Sequence, residues 1–176
     1  MNKEFPVFKT GRLLLRQFEE RDINNVFLGL SDPDVIRYYG VHFITLEETK
    51  KQTEWFAELE KDETGIWWAV CSSDNSIFYG AVGLYYLNRD LKKAELGFWL
   101  MPAFWGRGII RESVLLAIDY GFKEMHLKRI EAEVETENTI SKRVMEKLQF
   151  VYEHTKQDCE IKHGKYISLD VYAIEA

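Results

Sequence analysis

Trp105-Gly106-Arg107-Gly108-Ile109-Ile110-Arg111 is the stretch whose residue types and spacing speak most directly of chemistry. It follows an apolar run from Leu96 to Met101 and leads into a helix-patterned segment, Ile109 to Lys123. Two glycines at such a junction let backbone N–H groups converge where a Cβ would obstruct a ligand. The helix adds its own unpaired first-turn donors and the positive end of its dipole. A loop of this kind suits an anionic group, above all a pyrophosphate. It is not a mononucleotide P-loop, because no Gly-Lys-Ser/Thr follows, and the third glycine of the dinucleotide fingerprint is missing. Taken alone, a strand–Gly-x-Gly–helix junction is as often ordinary turn chemistry as a binding loop.

Its surroundings narrow the choice. From Ala94 the chain reads Ala-Glu-Leu-Gly-Phe-Trp-Leu-Met-Pro-Ala-Phe-Trp-Gly-Arg-Gly-Ile-Ile-Arg-Glu-Ser-Val. This resembles the acetyl-CoA-binding segment of the GNAT superfamily of N-acetyltransferases, and more narrowly its RimJ/RimL-type branch, which acetylates protein N-termini. Thr10-Gly11-Arg12-Leu13-Leu14-Leu15-Arg16 is similar to that branch's opening strand, and Ser31-Asp32-Pro33-Asp34-Val35 to its early helical turn. Arg129-Ile130-Glu131-Ala132, Asn138, Ser141 and Glu146-Lys147-Leu148-Gln149-Phe150 match its late strand–helix unit. The matches run in order along almost the whole chain.

The resemblance implies one N-acetyltransferase domain over residues 1–176 with acetyl-CoA as co-substrate and no metal. It implies that the pyrophosphate rests on the backbone N–H groups of Gly106, Arg107, Gly108, Ile109, Ile110 and Arg111. The pantetheine arm would lie along Trp99 and Leu100 like an added strand, where a splayed neighbour leaves backbone groups free. The N–H of Trp99 or Leu100 would then meet the thioester oxygen. Ile110 stands where the superfamily usually has Gly or Ala, a larger residue that the RimJ/RimL branch tolerates. Gln149 stands where Gly usually precedes Phe150.

Acetyl transfer to an amine also needs a neutral amine and a proton for the leaving thiolate. Glu95 lies on the same strand face as Gly97 and Trp99, opposite Leu96, Phe98 and Leu100. Its carboxylate is either the base for the amine, directly or through water, or an ordinary solvated or salt-bridged strand residue. Asn138 reads as a helix N-cap, which does not exclude contact with CoA. Many superfamily members carry a tyrosine seven residues later as the proton donor; here that position is Met145, and Ser141 is the nearest hydroxyl, with water as its rival. Glu131, Glu133, Glu135 and Glu137 alternate with Ile130, Ala132, Val134 and Thr136, the pattern of a strand with one wet face. The alternative is that Glu135 and Glu137 attract a cationic acceptor. Trp67, Trp68, Tyr85, Tyr86 and Trp99 read as core or groove lining.

These residues need elements to hold them. A first strand is expected at Leu13 to Phe18. Asp22 then caps a helix running to about Leu30, and a helical turn begins at Pro33. Thr45 and Glu48 have capping-box spacing for a helix through Leu59. Ile66 to Ser72 and Ile77 to Tyr86 form a hairpin around Ser73-Asp74-Asn75-Ser76. Lys93 to Met101 is a strand, and Ile110, Val114, Ile118, Phe122 and Met125 mark the buried stripe of the helix after the glycine loop. A strand from Arg129 to Glu135, a helix from Thr139 to Leu148 and strands Val151 to Ile161 and Lys165 to Ala173 complete the chain. The fold class is α/β, an α+β mixed sheet with helices on both faces; the resemblance makes it a GNAT-like acyl-CoA N-acyltransferase fold with a mostly antiparallel central sheet.

Length and composition agree with one globular domain. The 176 residues are 46% hydrophobic and 30% charged, a soluble globular mix with core to spare. No apolar run approaches the roughly 20 residues of a membrane span. The amino terminus does not read as a signal peptide, and Asn2 excludes myristoylation. Cys71 and Cys159 suggest neither a metal site nor a disulfide framework. The net charge of −6 argues against nucleic acid and requires local cations, Arg107, Arg111, Lys142 and Arg143, to receive an anionic CoA.

The expected function is acetylation of a primary amine, the N-terminal α-amine of a protein such as a ribosomal protein. The alternatives are a small-molecule acceptor (polyamine, amino acid or aminoglycoside) and a non-catalytic acyl-CoA-binding module. Acetyl-CoA and the amine are the expected partners of a cytoplasmic monomer or homodimer, with neither nucleic acid nor membrane.

Overall fold

Apolar alternation along the chain resolves into eight strands and five α-helices in a computed structural model that describes residues 4–176. Asn2, and with it the myristoylation question, lies outside the described residues. The strands are β1 (Phe8–Lys9), β2 (Leu13–Arg16), β3 (Ile66–Ser72), β4 (Phe78–Asn88), β5 (Lys93–Leu100), β6 (Arg129–Glu135), β7 (Val151–Lys162) and β8 (Lys165–Glu175). The helices are α1 (Ile23–Leu30), α2 (Pro33–Ile36), α3 (Leu46–Lys61), α4 (Ile109–Lys123) and α5 (Thr139–Lys147). One sheet takes all the strands in the order β1-β2-β3-β4-β5-β6-β8-β7. Every neighbouring pair is antiparallel except β5 and β6, as the resemblance led one to expect. Among the described residues no helix is long and apolar enough to cross a membrane.

Successive strand residues enter different cores, because side chains alternate across the sheet. On one face Trp68, Val82, Leu96 and Ile130 pack with Val114 and Ala117 of α4 and Met145 of α5. On the other, Trp67, Ala81 and Trp99 pack with Val26 of α1 and Phe56 of α3. All of β3 is therefore buried, and it reads as a continuous apolar run rather than an alternating one. Trp67 reaches across two strands: a Cβ on Gly83 would lie 2.2 Å from its ring, and one on Gly97 would lie 2.7 Å away. Gly83 and Gly97 are paired in the β4–β5 register, so the two glycines form one floor for one indole.

Several expectations change. A short edge strand, β1, precedes the one expected first, and that one, β2, stops at Arg16 because Phe18 leaves the ladder to stack on Phe56, ring centroids 4.5 Å apart. Asp22 does not cap α1 with its side chain; that carboxylate is buried and takes both ends of the Arg16 guanidinium, at 2.6 and 2.9 Å. A buried ion has more to gain from a bidentate cation than from one backbone N–H. Thr45 caps α3 as expected, but Glu48 reaches back to the N–H of Ile44 rather than to that of Thr45. The buried stripe of α4 is rotated by one position at its start, with Ile109 inside and Ile110 turned toward the site. Ser113 and Gly121 also belong to it, small residues that periodicity in bulky side chains does not reveal. Tyr86, at φ 51°, is exposed and lines a cavity, the groove position among the two that its sequence context allowed. Gln149 closes the turn after α5 in the left-handed region, at φ 65°, where Gly would relax the backbone.

Candidate active site

The glycine loop is built around backbone conformations only glycine adopts easily. Gly106 and Gly108 have φ of 74° and 73°, and Gly108 is the N-cap of α4. The first N–H groups of α4, from Ile109 onward, have no carbonyl behind them in the helix and face the loop. The β1–β2 turn holds this arrangement in place. Arg12 donates to the Arg107 carbonyl at 2.8 Å and to Glu112 at 2.6 Å, while Thr10 donates to the other Glu112 oxygen at 2.6 Å. Burial works against ionisation of Glu112, but these hydrogen bonds outweigh it and hold its pKa below the usual carboxylate range. Arg12 thereby also neutralises an acid that would otherwise sit in the first turn beside a bound anion.

Next to the loop the sheet opens. The β5–β6 ladder has its last registered pair at Glu95 and Glu131, although both strands continue. Met101 donates to Tyr79 across the β4–β5 ladder, which fixes the parity of β5. The odd residues, Trp99 among them, turn N–H and C=O toward β4; the even residues, Phe98 and Leu100, turn theirs into the opening. Of the two donors expected from sequence, the N–H of Leu100 is thus the free one, and that of Trp99 belongs to the ladder. The Leu100 carbonyl is already taken by the Trp105 indole at 2.7 Å, a contact that ties the loop to the strand end.

Glu95 lies where β5 parts from β6. Tyr85 of the paired strand donates to Glu95 Oε1 at 2.5 Å. Burial pushes the Glu95 carboxyl above the ordinary carboxylate range, and the Tyr85 hydrogen bond opposes that rise. Burial and the neighbouring carboxylate push the Tyr85 phenol far up, so it stays a donor at any working pH.

At the start of α5, Asn138 Oδ1 accepts from the Ser141 N–H at 3.0 Å, the expected N-cap. That bond fixes the amide orientation, so Nδ2 faces the Ser141 hydroxyl and donates to it at 2.9 Å. With Oγ accepting from Asn138, the Ser141 proton is left to give elsewhere.

One cavity of about 1280 Å³ gathers these parts. Glu95, Trp99, Leu100, Gly106, Gly108, Ile109, Ile110, Arg111, Asn138 and Ser141 all line it; Arg107 does not, its guanidinium lying over the Phe104 ring. The volume exceeds the several hundred Å³ of a typical small-ligand pocket, as two substrates side by side require. Two expected roles fail. Lys142 is spent on Asp170 at 2.5 Å and Arg143 does not line the cavity, so Arg37, Lys51, Arg111 and Lys147 are the cations on its wall. Of the two acids expected to attract a cationic acceptor, Glu135 is bound by Lys162 at 2.5 Å, while Glu137 is exposed and does not line the cavity; Glu133 is bound by Lys156. Tyr85, Arg12 and Trp105 were missed as site residues because each acts through a partner on another element.

Comparison with known proteins gives the family and the fold. The Acetyltransferase (GNAT) domain family matches residues 12–151. The uncharacterized N-acetyltransferase YoaA of Bacillus subtilis (strain 168) is 31% identical over 171 residues, 97% of each chain. Among solved structures, a RimL ribosomal L7/L12 alpha-N-protein acetyltransferase in complex with coenzyme A superposes with a TM-score of 0.86 at 19% identity, covering 97% of this chain and 98% of that one. The spermidine N-acetyltransferase of Vibrio cholerae, in complex with CoA and spermine, gives a TM-score of 0.82 at 22% identity, covering 94% and 96%.

Proposed function

The chain belongs to the GNAT family of acetyltransferases, and on that premise we propose that its acceptor is the α-amine of a protein N-terminus, such as that of a ribosomal protein. It is an acetyl-CoA-dependent N-acetyltransferase. The residues present fit the co-substrate: left-handed glycines and free first-turn donors for the diphosphate, and an unpaired strand edge for the extended arm. Acetyl-CoA supplies an activated acyl group; positioning and proton transfer fall to the chain. In this reading the Leu100 N–H polarises the thioester carbonyl, Glu95 takes the amine proton, and Ser141 protonates the leaving sulfur while Asn138 holds its hydroxyl.

The observation that supports this acceptor is the state of the cavity's carboxylates. Glu133 and Glu135 carry lysine partners, and Glu95 is engaged by Tyr85. Asp34 and Glu160, the other acids lining the cavity, are exposed. Of the cavity's acids, a polycation would find only Asp34 and Glu160 without a partner among the described residues, whereas a single amine needs one base. An α-amine has a pKa near 7.7–8.0 against about 10.4 for lysine, so roughly a tenth of it is already neutral at pH 7. A single half-buried carboxylate suffices for such an acceptor, and its place of action would be the cytoplasm. Release of free CoA over a panel of peptides with free or blocked N-termini, polyamines and aminoglycosides tests the reading. A larger kcat/KM for spermidine or an aminoglycoside than for every free N-terminus would overturn it.

A further inference from the structure

Helix α3 turns Thr49, Gln52, Phe56 and Leu59 inward, a helical stripe in which Gln52 occupies a place that packing alone would give to an apolar residue. Thr49 answers its own polarity by donating to the Thr45 carbonyl at 3.0 Å. Gln52 does not. It is 5% exposed, lines the cavity, and its carboxamide has no hydrogen-bond partner among the described residues. The fully enclosed unpaired groups among the described residues are the Trp67 and Trp99 indole nitrogens; the Gln52 amide is not one of them and opens onto the cavity. Its partner must therefore be sought in what fills the cavity.

Its position says which substrate that is. One turn further along α3, Trp55 packs against Trp67 and Tyr85, with ring centroids 6.0 and 5.8 Å apart. Tyr85 in turn holds Glu95. Gln52, three residues before Trp55 on the same helix, thus lines the cavity next to the aromatic cluster that leads to Glu95.

We propose that Gln52 is a specificity-determining residue whose carboxamide hydrogen-bonds the first peptide group of the acceptor, the one next to the reacting α-amine. A primary amide presents an oxygen acceptor and two N–H donors, which complement a peptide C=O and N–H. The methylenes and ammonium groups of a polyamine carry no acceptor for those donors. Sites built to bond a polar group discriminate sharply against analogues that lack it, since their own buried group is then left unpaired. The inference rests on the α-amine reading above.

Two acceptors of nearly the same shape separate the possibilities: L-alaninamide, and 3-methyl-2-butylamine, in which isopropyl replaces the carboxamide. Gln52→Met preserves length and flexibility while removing both donor and acceptor. It should lower kcat/KM for alaninamide about tenfold, mainly through KM, and leave 3-methyl-2-butylamine within about twofold. Because each variant is compared with wild type on the same amine, the different amine pKa values cancel. Gln52→Glu, which keeps the oxygen and loses the donors, should fall between them on alaninamide; an unchanged KM for acetyl-CoA shows that either variant is folded. Equal losses on both acceptors, or none on either, overturn the role of Gln52 alone. Wild-type enzyme inactive on every α-amine but active on spermidine overturns the α-amine reading, and the role of Gln52 with it.

Discussion

The Tyr85 hydroxyl and the Glu95 carboxylate meet at 2.5 Å across the β4–β5 ladder, at the last residue of β5 still paired with β6. One strand therefore contributes a half-buried carboxylate and its neighbour a donor that favours its ionised form. Burial raises the Glu95 pKa and the Tyr85 bond opposes the rise. A base must be ionised to work, so activity should be lost as pH falls through a value above the ordinary carboxylate range. Tyr85→Phe removes the opposing bond, raises the pKa further and should move that acid limb of kcat/KM to higher pH. Glu95→Gln should lower turnover by roughly 10²–10⁴-fold near neutrality, with the loss shrinking toward pH 8 and above as the α-amine deprotonates unaided. A mutant-to-wild-type ratio that stays flat with pH would remove Glu95 from the chemistry and leave a water chain as the base.

Ser141→Ala should lower kcat more than it raises the KM for acetyl-CoA. The cap itself survives, since Asn138 still accepts from the residue 141 N–H, and only the proton is lost. An unchanged kcat in a chemistry-limited assay would hand thiolate protonation to water.

Gly108→Val should weaken acetyl-CoA binding more than Arg107→Ala, as read by titration calorimetry. Valine must adopt φ near 73° at the helix N-cap, and its Cβ would stand 3.4 Å from the Arg12 guanidinium. Arg107 contributes a carbonyl to the Arg12 contact, which alanine retains. The opposite ranking would show that charge, not backbone approach, governs the loop.

Arg12→Gln should raise the KM for acetyl-CoA several-fold with little change in kcat, because it frees the loop and leaves Glu112 uncompensated in the first turn of α4. An equal fall in kcat would mean that the clamp reaches the reacting groups.

Local patterns in the chain were enough to locate most elements. The α4 helix, the glycine loop and the Asn138 cap each depend on residues within a few positions of one another, and they lie where spacing and turn chemistry put them. What stayed hidden needed register or tertiary contact. Tyr85 faces Glu95 only once β4 and β5 are aligned, and Arg12 meets Glu112 from 100 residues away. The choice between the Trp99 and Leu100 donors depends on which ladder each amide joins, which side-chain alternation does not report. Gln52 carries no signal in the sequence of a charged helix, because its inward turn is visible only against Phe56 and Leu59.

The opening between β5 and β6 places a strand edge in the interior of an eight-stranded sheet. Amide exchange with solvent should carry that signature. Trp99 and Leu100 are equally buried by side chain, at 3% and 5%, yet only the first has its N–H locked in a ladder. Protection along β5 should therefore alternate with period two beyond Glu95, with Phe98 and Leu100 exchanging like an outer strand and Gly97 and Trp99 like an inner one. Bound acetyl-CoA would erase the alternation by occupying the missing strand's place. The slow exchange of two mid-sheet amides would then report how much of the enzyme is loaded.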